Sequence, residues 1–395
     1  MKYDLVFEGG GAKGFVLVGA CEEFFRRGHS FDRLLGTSAG AITATLLAAG
    51  YTAGEMLGAL AEQEDGRSIF GTFMAAPSPF SDDELSSGAV HTLLEGIEFH
   101  FLPQSIERRL DAELLRALAS HDRGRHVMAF IERGGWFGAD PFLAWLRRKL
   151  DSGSWKDGQR QFSGLTLAQL FEKTAVELSL VASDTTDARM LVLNHRTAPG
   201  CPVVWAVRMS MSIPLVWDEV VWQKEWGAYL GRDLTGHLVV DGGVLSNFPI
   251  ELFISDESHV VRTMGPKGAN PVLGLLIDER LPVPQAKGIL VTVNIKPGEL
   301  RTVQRLQRLV DTATTAHDKM VIEEYEHLVV RLPAQGYGTT EFDMSDARRG
   351  ALVDAGRTAM ALHFDTPRGL RLPTKAAPGE RTATHADRLA MNILQ

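Results

Sequence analysis

A serine in a glycine-flanked segment gives the sequence its first candidate for chemistry. Ser38 lies in Gly36-Thr37-Ser38-Ala39-Gly40, between a short predicted strand and a predicted helix, and this spacing is typical of a nucleophile elbow. The flanking glycines allow the strand to turn sharply into the helix, which exposes the serine hydroxyl at the sheet edge. Ser38 is therefore the candidate nucleophile, and the structural alternative is a turn that packs small residues.

Two aspartates are candidates for a general base. Asp241 follows an apolar run at 238–240 and precedes Gly242 and Gly243. A carboxylate at the carboxyl end of a strand points into the crevice where such sheets bind ligands, so it could accept the serine proton. In the alternative interpretation, Asp241 bonds to its own backbone in an Asx turn. Asp184, which follows another apolar run, is the rival candidate.

A glycine-rich loop follows the first predicted strand and precedes the first predicted helix. Its residues are Gly9, Gly10, Gly11, Ala12, Lys13 and Gly14. The glycine spacing fits a dinucleotide-binding loop, but not a Walker A loop, which would need Ser or Thr after Lys13. Exposed N–H groups beside a helix N-terminus stabilise negative charge. That charge is either a nucleotide phosphate or an oxyanion formed during acyl transfer.

These motifs require a sheet that holds them at one edge. A strand at 3–8 and a helix at Phe15–Arg27 are followed by a strand at Arg33–Leu35 and a helix that extends to Gly50. This alternation predicts a parallel sheet with helices on its faces. The other predicted elements are strands at Val176–Ala182, Met190–Leu193, His237–Asp241, Val272–Ile277 and Leu328–Leu332, and helices at Val203–Ser212 and Leu300–Tyr325.

The region from about residue 64 to 164 is predicted to be a largely helical insertion in a main domain at 1–365. It contains an amphipathic helix at 104–120 and, at 133–162, tryptophans interleaved with basic residues. Such a mixture suits a membrane interface, where aromatic rings and cations meet headgroups. It suits equally a cap whose tryptophans pack over the site and whose basic residues form a solvated face. Residues 366–395 are predicted to form a flexible tail.

Composition and charge exclude several classes of protein. Of 395 residues, 45% are apolar and 23% are charged, which is ordinary for a globular protein and excludes disordered and collagen-like chains. Lys and Arg number 41 and Asp and Glu number 49, so the net charge of −8 argues against nucleic-acid binding. Two distant cysteines, Cys21 and Cys201, indicate a reducing compartment. Residues 1–4 lead directly into a strand, unlike a signal peptide.

Taken in order, the motifs resemble those of the patatin-like phospholipase family. That family combines a Gly-Gly-Gly-x-Arg/Lys-Gly loop, a Gly-x-Ser-x-Gly elbow and an Asp-Gly-Gly/Ala triplet, with Ala-Ser-x-Ser-x-Pro and Asn/Pro segments beside the triplet. The matching segments here are Gly9–Gly14, Gly36–Gly40, Met209–Pro214, Asp241–Gly243 and Val244–Pro249. One departure is Met209, which stands where the family has Ala. The similarity covers roughly residues 3–255, interrupted by 64–164.

The resemblance implies a three-layer α/β/α sandwich with a mostly parallel central sheet and a largely helical insertion. It implies a Ser–Asp dyad in which Asp241 is the base for Ser38, and an acyl-enzyme that water hydrolyses. The backbone N–H groups around Gly10, Gly11 and Ala12 are expected to form the oxyanion hole. The expected substrates are phospholipids or lysophospholipids at a membrane surface, and no metal or other cofactor is required.

A conventional hydrolase triad would also need a histidine after the acid. The histidines there are His259, His317, His327, His363 and His385, and none lies in a distinctive motif. We expect them to be structural, as we do His195 and His237. Lys13 is expected either to contact a lipid phosphate or to orient the loop. Asp184 lies in a segment that resembles a part of the family pattern without the base.

Two other hypotheses stay open at this point. A nucleotide-binding protein would use Gly9–Gly14 as a dinucleotide site, but this leaves Ser38 and Asp241 unexplained. A regulated effector would be silent until an activating protein or small ligand binds, which is compatible with the insertion and the tail. We expect a cytoplasmic protein with peripheral membrane contact, and export as an effector is left open.

Overall fold

The computed structural model describes residues 1–64, 67–95, 113–156, 158–284 and 324–366. In chain order, its strands are β1 (Lys2–Phe7), β2 (Ser30–Thr37), β3 (Gln63–Glu64), β4 (Arg67–Ser68), β5 (Gly135–Phe137), β6 (Ser154–Trp155), β7 (Gly158–Gln159), β8 (Glu177–Asp184), β9 (Arg189–Leu193), β10 (Leu215–Trp217), β11 (Val220–Val221), β12 (Leu238–Asp241), β13 (Val272–Pro282) and β14 (Val329–Gln335).

An eight-stranded sheet forms the centre of the described fold. Its order is β11-β12-β8-β2-β1-β13-β14, with β9 paired to β8 outside this path. The neighbours β8, β2, β1, β13 and β14 are parallel, whereas β9, β11 and β12 are antiparallel additions. Thr37 pairs with Val181 and Asp241 pairs with Ala182, so the ends of β2 and β12 meet across β8.

Helices cover both faces of this sheet and give the three-layer α/β/α architecture. They are α1 (Phe15–Arg26), α2 (Ala39–Ala48), α3 (Ala53–Leu60), α4 (Asp82–Ser87), α5 (Ala89–Glu95), α6 (113–120), α7 (Asp122–Glu132), α8 (Asp140–Asp151), α9 (Leu167–Thr174), α10 (Val203–Ser210), α11 (Ser258–Met264) and α12 (Asp346–Asp365). The mostly parallel sheet between helical layers confirms the predicted fold class. None of the described helices is both long and apolar enough to cross a bilayer.

The sheet is buried on both faces, as the side chains of β1 demonstrate. Leu5 and Phe7 enter the main hydrophobic cluster, whereas Val6 enters a second cluster that contains Phe248 and Ile250. Successive side chains of a strand point to opposite faces, so burial on both sides requires a nearly continuous apolar run. This explains why the central strands show no polar alternation in the sequence.

The carboxyl-terminal part of the described chain extends the same sheet. Strands β13 and β14 continue it beyond β1, and α12 packs along α1. The sequence did not predict α12. The predicted helix at Leu300–Tyr325 and the predicted tail at 366–395 lie almost entirely outside the described residues, and the predicted helix at 104–120 is described only as α6.

Several aromatic and basic residues of the insertion lie in the interior. Phe142 and Trp145 are fully buried in the main cluster, and the Trp155 ring lies against Gly50. Arg160 is 2% exposed and donates hydrogen bonds to the carbonyls of Ala49 (3.0 Å) and Gly50 (2.9 Å). Phe142 and Trp145 therefore follow the packing interpretation, whereas the buried Arg160 fits neither a membrane interface nor the solvated face that this interpretation gives to the basic residues.

The buried Arg160 guanidinium ties the insertion to α3. It contacts the Glu55 carboxylate at 2.8 Å and the Ser152 carbonyl at 3.0 Å. We expect Arg160→Met to lower the free energy of unfolding by about 2–4 kcal/mol, since it leaves these acceptors without their donor. Urea denaturation measures the loss. The exposed Arg147, changed to Met, is the control, and an equal loss in both variants would contradict the assignment.

Candidate active site

Ser38 occupies a strained turn at the carboxyl end of β2. Its φ is 52°, in the left-handed region that non-glycine residues rarely adopt. The turn exists because its neighbours lack side chains: a Cβ on Gly36 would lie 2.4 Å from the Gly40 carbonyl oxygen, and one on Gly40 would lie 2.3 Å from the Phe7 carbonyl oxygen. The surrounding contacts hold Ser38 in this strained conformation at the amino end of α2, between the buried Thr37 and Ala39.

Asp241 ends β12 with its carboxylate inside the protein. The side chain is 4% exposed, and its Oδ1 accepts a hydrogen bond from the Gly243 amide at 2.8 Å. Gly242 allows this turn, since a Cβ there would lie 2.5 Å from the Val181 carbonyl oxygen. The Asx-turn bond therefore exists, and it fixes one carboxylate oxygen while Oδ2 stays buried without a hydrogen bond of ordinary geometry.

Burial changes the acidity of this carboxyl group. Desolvation raises the pKa of Asp241 to about 7, against the lowering effects of the Ser38 hydroxyl and the Gly243 amide. The Ser38 hydroxyl and the Gly243 amide are thus the two polar groups that favour the charged form of this carboxylate. A carboxylate of this acidity beside a serine hydroxyl is suited to accept a proton near neutral pH.

Serines of the segment 209–214 hold both residues through their amides. The Ser38 amide donates to the Ser210 hydroxyl oxygen at 3.0 Å, and the Asp241 amide donates to the Ser212 carbonyl at 2.9 Å. From the sequence, this segment was notable only for its resemblance to a family motif, and no role was predicted for its serines. One short segment, at the end of α10 and directly after it, therefore fixes the distance between the backbones of the two reactive residues.

The glycine-rich loop passes next to Ser38. A Cβ on Gly9 would lie 3.0 Å from the Ser38 Cβ and 2.1 Å from Asn247 Oδ1. Asn247 Nδ2 donates to the Gly9 carbonyl at 2.8 Å, while the Gly9 amide donates to the Asn247 carbonyl at 3.3 Å. The sequence offered no signal for this role of Asn247 beyond its place in the Asn/Pro stretch. The loop is thus fastened to the segment that carries Asp241.

Two amides of the loop are available to a ligand. The Gly10 and Gly11 amides find no acceptor among the described residues, and the same holds for Ala39 at the start of α2. The Ala12 amide, which we expected to face the oxyanion, donates instead to the Thr339 carbonyl at 2.8 Å. The candidate oxyanion donors are therefore the amides of Gly10, Gly11 and Ala39.

Lys13 points away from these amides. Its side chain is almost completely buried, and its ammonium group forms an ion pair with the exposed Glu279 of β13. Gly14, the last residue of the loop, lies against α2, since a Cβ there would be 2.6 Å from the Ala39 Cβ. Of the two roles weighed for Lys13, this contact favours orientation of the loop over binding of a phosphate.

A narrow apolar cavity of about 60 Å³ lies beside Ser38. Its lining includes Ile42 and Leu46 of α2 and Gly11 and Ala12 of the loop. Its aromatic lining consists of Phe15, Phe70, Phe73, Trp145, Trp217 and Phe342. No histidine among the described residues lines the cavity. Such a surface matches a hydrocarbon chain better than a sugar or a phosphate.

Asp184, the rival carboxylate, has a full set of partners elsewhere. Its Oδ1 accepts the amides of Thr186 (3.0 Å) and Asp187, and its Oδ2 contacts Arg189 Nε (3.3 Å) and His237 Nδ1 (2.9 Å). Asp184, Asp187 and His237 could in principle surround a metal ion. Arg189 already neutralises this cluster, so we interpret it as a structural ion-pair network. His195, which we also expect to be structural, stacks on the Phe171 ring.

Comparisons with known proteins point in the same direction as the geometry. Residues 5–254 match a family model described as Patatin-like phospholipase. The uncharacterized protein YqhO of Bacillus subtilis is 28% identical over 369 residues, which is 90% of this chain and 96% of YqhO. The patatin-like phospholipase domain-containing protein CNBE2340 of Cryptococcus neoformans is 29% identical over 124 residues, which is 28% of this chain and 14% of that protein.

Two bacterial structures are similar to this chain at low identity. VipD from Legionella pneumophila has a TM-score of 0.44 and 16% identity, over 92% of this chain and 66% of VipD. A chain of the ExoU–SpcU complex from the type III secretion system of Pseudomonas aeruginosa has a TM-score of 0.37 and 17% identity. That match covers 99% of this chain and 58% of the other.

The buried carboxylate predicts a pH-dependent cost to stability. Between pH ~4 and ~7 the native state binds a proton at Asp241 that the unfolded state does not, so the free energy of unfolding falls as pH rises through this window. A shift of about three units corresponds to roughly 4 kcal/mol. We therefore expect Asp241→Asn to be more stable than the parent by about 2–4 kcal/mol at pH 8 and nearly equal to it at pH 4.

Urea unfolding at pH 4 and pH 8 measures this difference. Asp184→Asn is the control, because the Asp184 carboxylate is satisfied by its partners and its loss is destabilising at pH 8. An Asp241→Asn protein that is less stable than the parent at pH 8 would contradict the burial penalty.

Proposed function

The chain belongs to the patatin-like phospholipase family, and on that premise we propose that it hydrolyses carboxylic ester bonds of membrane lipids with Ser38 as nucleophile and Asp241 as base. Members of this family are lipid hydrolases, so in general terms this chain is one too. The proposed substrates are phospholipids or lysophospholipids. The proposed reaction proceeds through an acyl-enzyme and uses no metal ion.

The observation that carries the proposal is the buried Asp241 carboxylate next to the Ser38 hydroxyl. Gly243 fixes one carboxylate oxygen, which leaves Oδ2 for the serine proton. With no histidine lining the cavity in the described chain, the carboxylate is the titratable group that meets the nucleophile. A dyad is therefore supported over a triad.

The reaction begins with transfer of the serine proton. As Ser38 Oγ attacks the ester carbonyl carbon, its proton moves to the Asp241 carboxylate, which becomes neutral. Collapse of the tetrahedral intermediate breaks the bond to the alcohol, and the protonated carboxyl group gives its proton to the departing oxygen. Water then attacks the acyl-enzyme, with Asp241 again as base, and releases the fatty acid.

Negative charge develops on the former carbonyl oxygen during both steps. We assign its stabilisation to the Gly10 and Gly11 amides, which have no acceptor of their own among the described residues, together with Ala39 at the amino end of α2. Donors of this kind typically contribute about 10²–10³ in rate. The positive φ of Gly11, 53°, supports this role because it turns the loop so tightly.

The apolar cavity is proposed to hold the acyl chain. At about 60 Å³ it has room for only a few water-sized groups, so a long chain enters only after aromatic side chains such as Phe70 and Trp145 move. This is the physical basis for proposing that a partner or small ligand activates the protein. Until then, a short and water-soluble ester is the better substrate.

The proposal also covers the domain boundaries and the cellular compartment of the enzyme. We propose one catalytic domain at 1–365, with the insertion at about 64–164 and a tail at 366–395. Cys21 and Cys201 are both free and buried, and burial raises the pKa of Cys21 to about 12, which supports inert thiols in a reducing compartment. Membrane contact in this proposal is peripheral.

Loss of the nucleophile is the first test. We expect Ser38→Ala to lose labelling by a fluorophosphonate probe and to lower hydrolysis of a short-chain soluble ester by at least about 10³-fold, since no other group forms the acyl-enzyme. Ser179→Ala is the matched control, because Ser179 is also 5% exposed but lies outside the cavity. Labelling of the Ser38→Ala protein at the parent rate would rule out this nucleophile.

The pH profile tests the base. Asp241 acts in its deprotonated form, so kcat/KM is expected to rise about tenfold per pH unit below pH ~7 and to level off above it. The raised pKa of Asp241, about 7, sets the pH at which kcat/KM levels off. Initial rates on the soluble ester, together with melting temperatures at each pH, measure it. A plateau that extends unchanged below pH 5 would exclude Asp241 as the titrating base.

A further inference from the structure

We infer that the loop at 336–342, which lies beyond the region matched by the family model, positions the oxyanion loop, and that the Glu341–Arg348 ion pair is its positioning device. The inference rests on the proposed function for its catalytic consequence, but its structural part stands on contacts alone. The residues concerned lie between β14 and α12, more than 80 residues after the matched range 5–254.

The contact between the two loops is made by backbone atoms. The Ala12 amide donates to the Thr339 carbonyl at 2.8 Å, and a Cβ on Gly11 would lie 2.2 Å from the same oxygen. Thr339 therefore occupies the outer side of the turn at 11–14. By binding the Ala12 amide, its carbonyl fixes the plane of the peptide bond that precedes Ala12 and, with it, the direction of the neighbouring Gly11 amide.

An ion pair holds the loop that carries this carbonyl. Arg348, at the start of α12, is 5% exposed and lies 2.8 Å from a Glu341 carboxylate oxygen. The other Glu341 oxygen accepts the Gly338 amide at 3.1 Å, and Arg348 donates to the Gly336 carbonyl at 2.8 Å. Residues on both sides of Thr339 are thus fastened to α12.

Thr339 itself is exposed, so it depends on these bonds for its position. An exposed loop without internal ties opens readily. The Arg348 guanidinium also lies 4.0 Å from the centre of the Tyr337 ring, which gives the loop a buried anchor. At the other end of the loop, Phe342 packs against Trp217 and lines the cavity beside Ser38. The loop therefore bridges α12, the oxyanion loop and the cavity.

The consequence for catalysis is geometric. Oxyanion stabilisation requires donors that are held in place before the charge develops, and a displacement of about 1 Å can cost about 10²-fold in rate. Loss of the Glu341 carboxylate removes the acceptor of the Gly338 amide and the ion-pair partner of Arg348, and so loosens the position of the Thr339 carbonyl. The Gly10 and Gly11 amides then lose their orientation, whereas the bonds to the Ser38 and Asp241 amides remain.

The test compares Glu341→Ala and Glu341→Gln with the parent. For Glu341→Ala we expect kcat on a short soluble ester to fall about 10–100-fold with KM within about twofold, and deuterium exchange of the peptide that covers residues 9–14 to increase. Glu341→Gln keeps an acceptor for the Gly338 amide, so it is expected to recover part of kcat and of the protection. If the Glu341→Ala protein does not fold, Glu341→Gln is the variant on which kcat and exchange at residues 9–14 are measured.

Glu22→Ala is the control variant. Glu22 pairs with Arg357 of the same helix α12 at 2.6 Å, with a side chain 34% exposed against 24% for Glu341, and it does not contact the loop. We expect this variant to lower the melting temperature without changing kcat or exchange at residues 9–14. If Glu341→Ala is folded and exchange at 9–14 equals that of the parent, the inference is overturned.

The two proposals fail separately. A parent protein without Ser38-dependent hydrolysis contradicts the proposed function, while the exchange experiment still decides whether the two loops are coupled. Increased exchange with unchanged kcat would overturn the positioning role, because the donors would then not need the loop. A fall in kcat equal to that of Glu22→Ala would likewise overturn it, since a general loss of stability would explain both.

Discussion

Ionisation of a buried aspartate is the constraint on which the rest of the site depends. A charge removed from water is costly unless its partners are already in place, and Asp241 has one backbone amide and one serine hydroxyl. The surrounding contacts keep those partners fixed: Ser212 binds the Asp241 amide and Ser210 binds the Ser38 amide. The backbone therefore over-determines a geometry that would relax if it were free.

Backbone atoms do most of the positioning at this centre. Ser38, Gly9 and Ala12 are each held through an amide, by Ser210, Asn247 and Thr339 respectively. Peptide groups move less than long side chains, and they leave the reactive side chains free for chemistry. The arrangement also explains the need for glycine, because such close approach of main chains leaves no space for a Cβ. The apolar cavity lies beside Ser38 and completes the site.

The elbow, the loop and the acid could be predicted because each depends on residues within a few positions of Ser38 or Asp241. Thr339 could not, since it acts through a carbonyl that every residue possesses and meets its partner only in the folded chain. The prediction of a surface position for Arg160 was wrong because basic residues normally lie at the surface. The carbonyl acceptors that allow its burial are visible only in the folded chain. Helix α12 was not predicted because its buried side includes arginines as well as apolar residues, which obscures the helical spacing of the apolar positions.

The strand order sets the order in which the parts of the candidate site can assemble during translation. Strand β1 lies between β2 and β13, so a nascent chain whose residues up to 254 have left the ribosome exposes Ser38 and Asp241 but has no neighbour for the outer edge of β1. The carbonyl that fixes Ala12 emerges later still, after β14. The nascent chain therefore carries its reactive residues long before they are aligned. Under the proposed function, the dyad has no fixed oxyanion loop beside it until residue 339 has been made and β13 and β14 have joined the sheet.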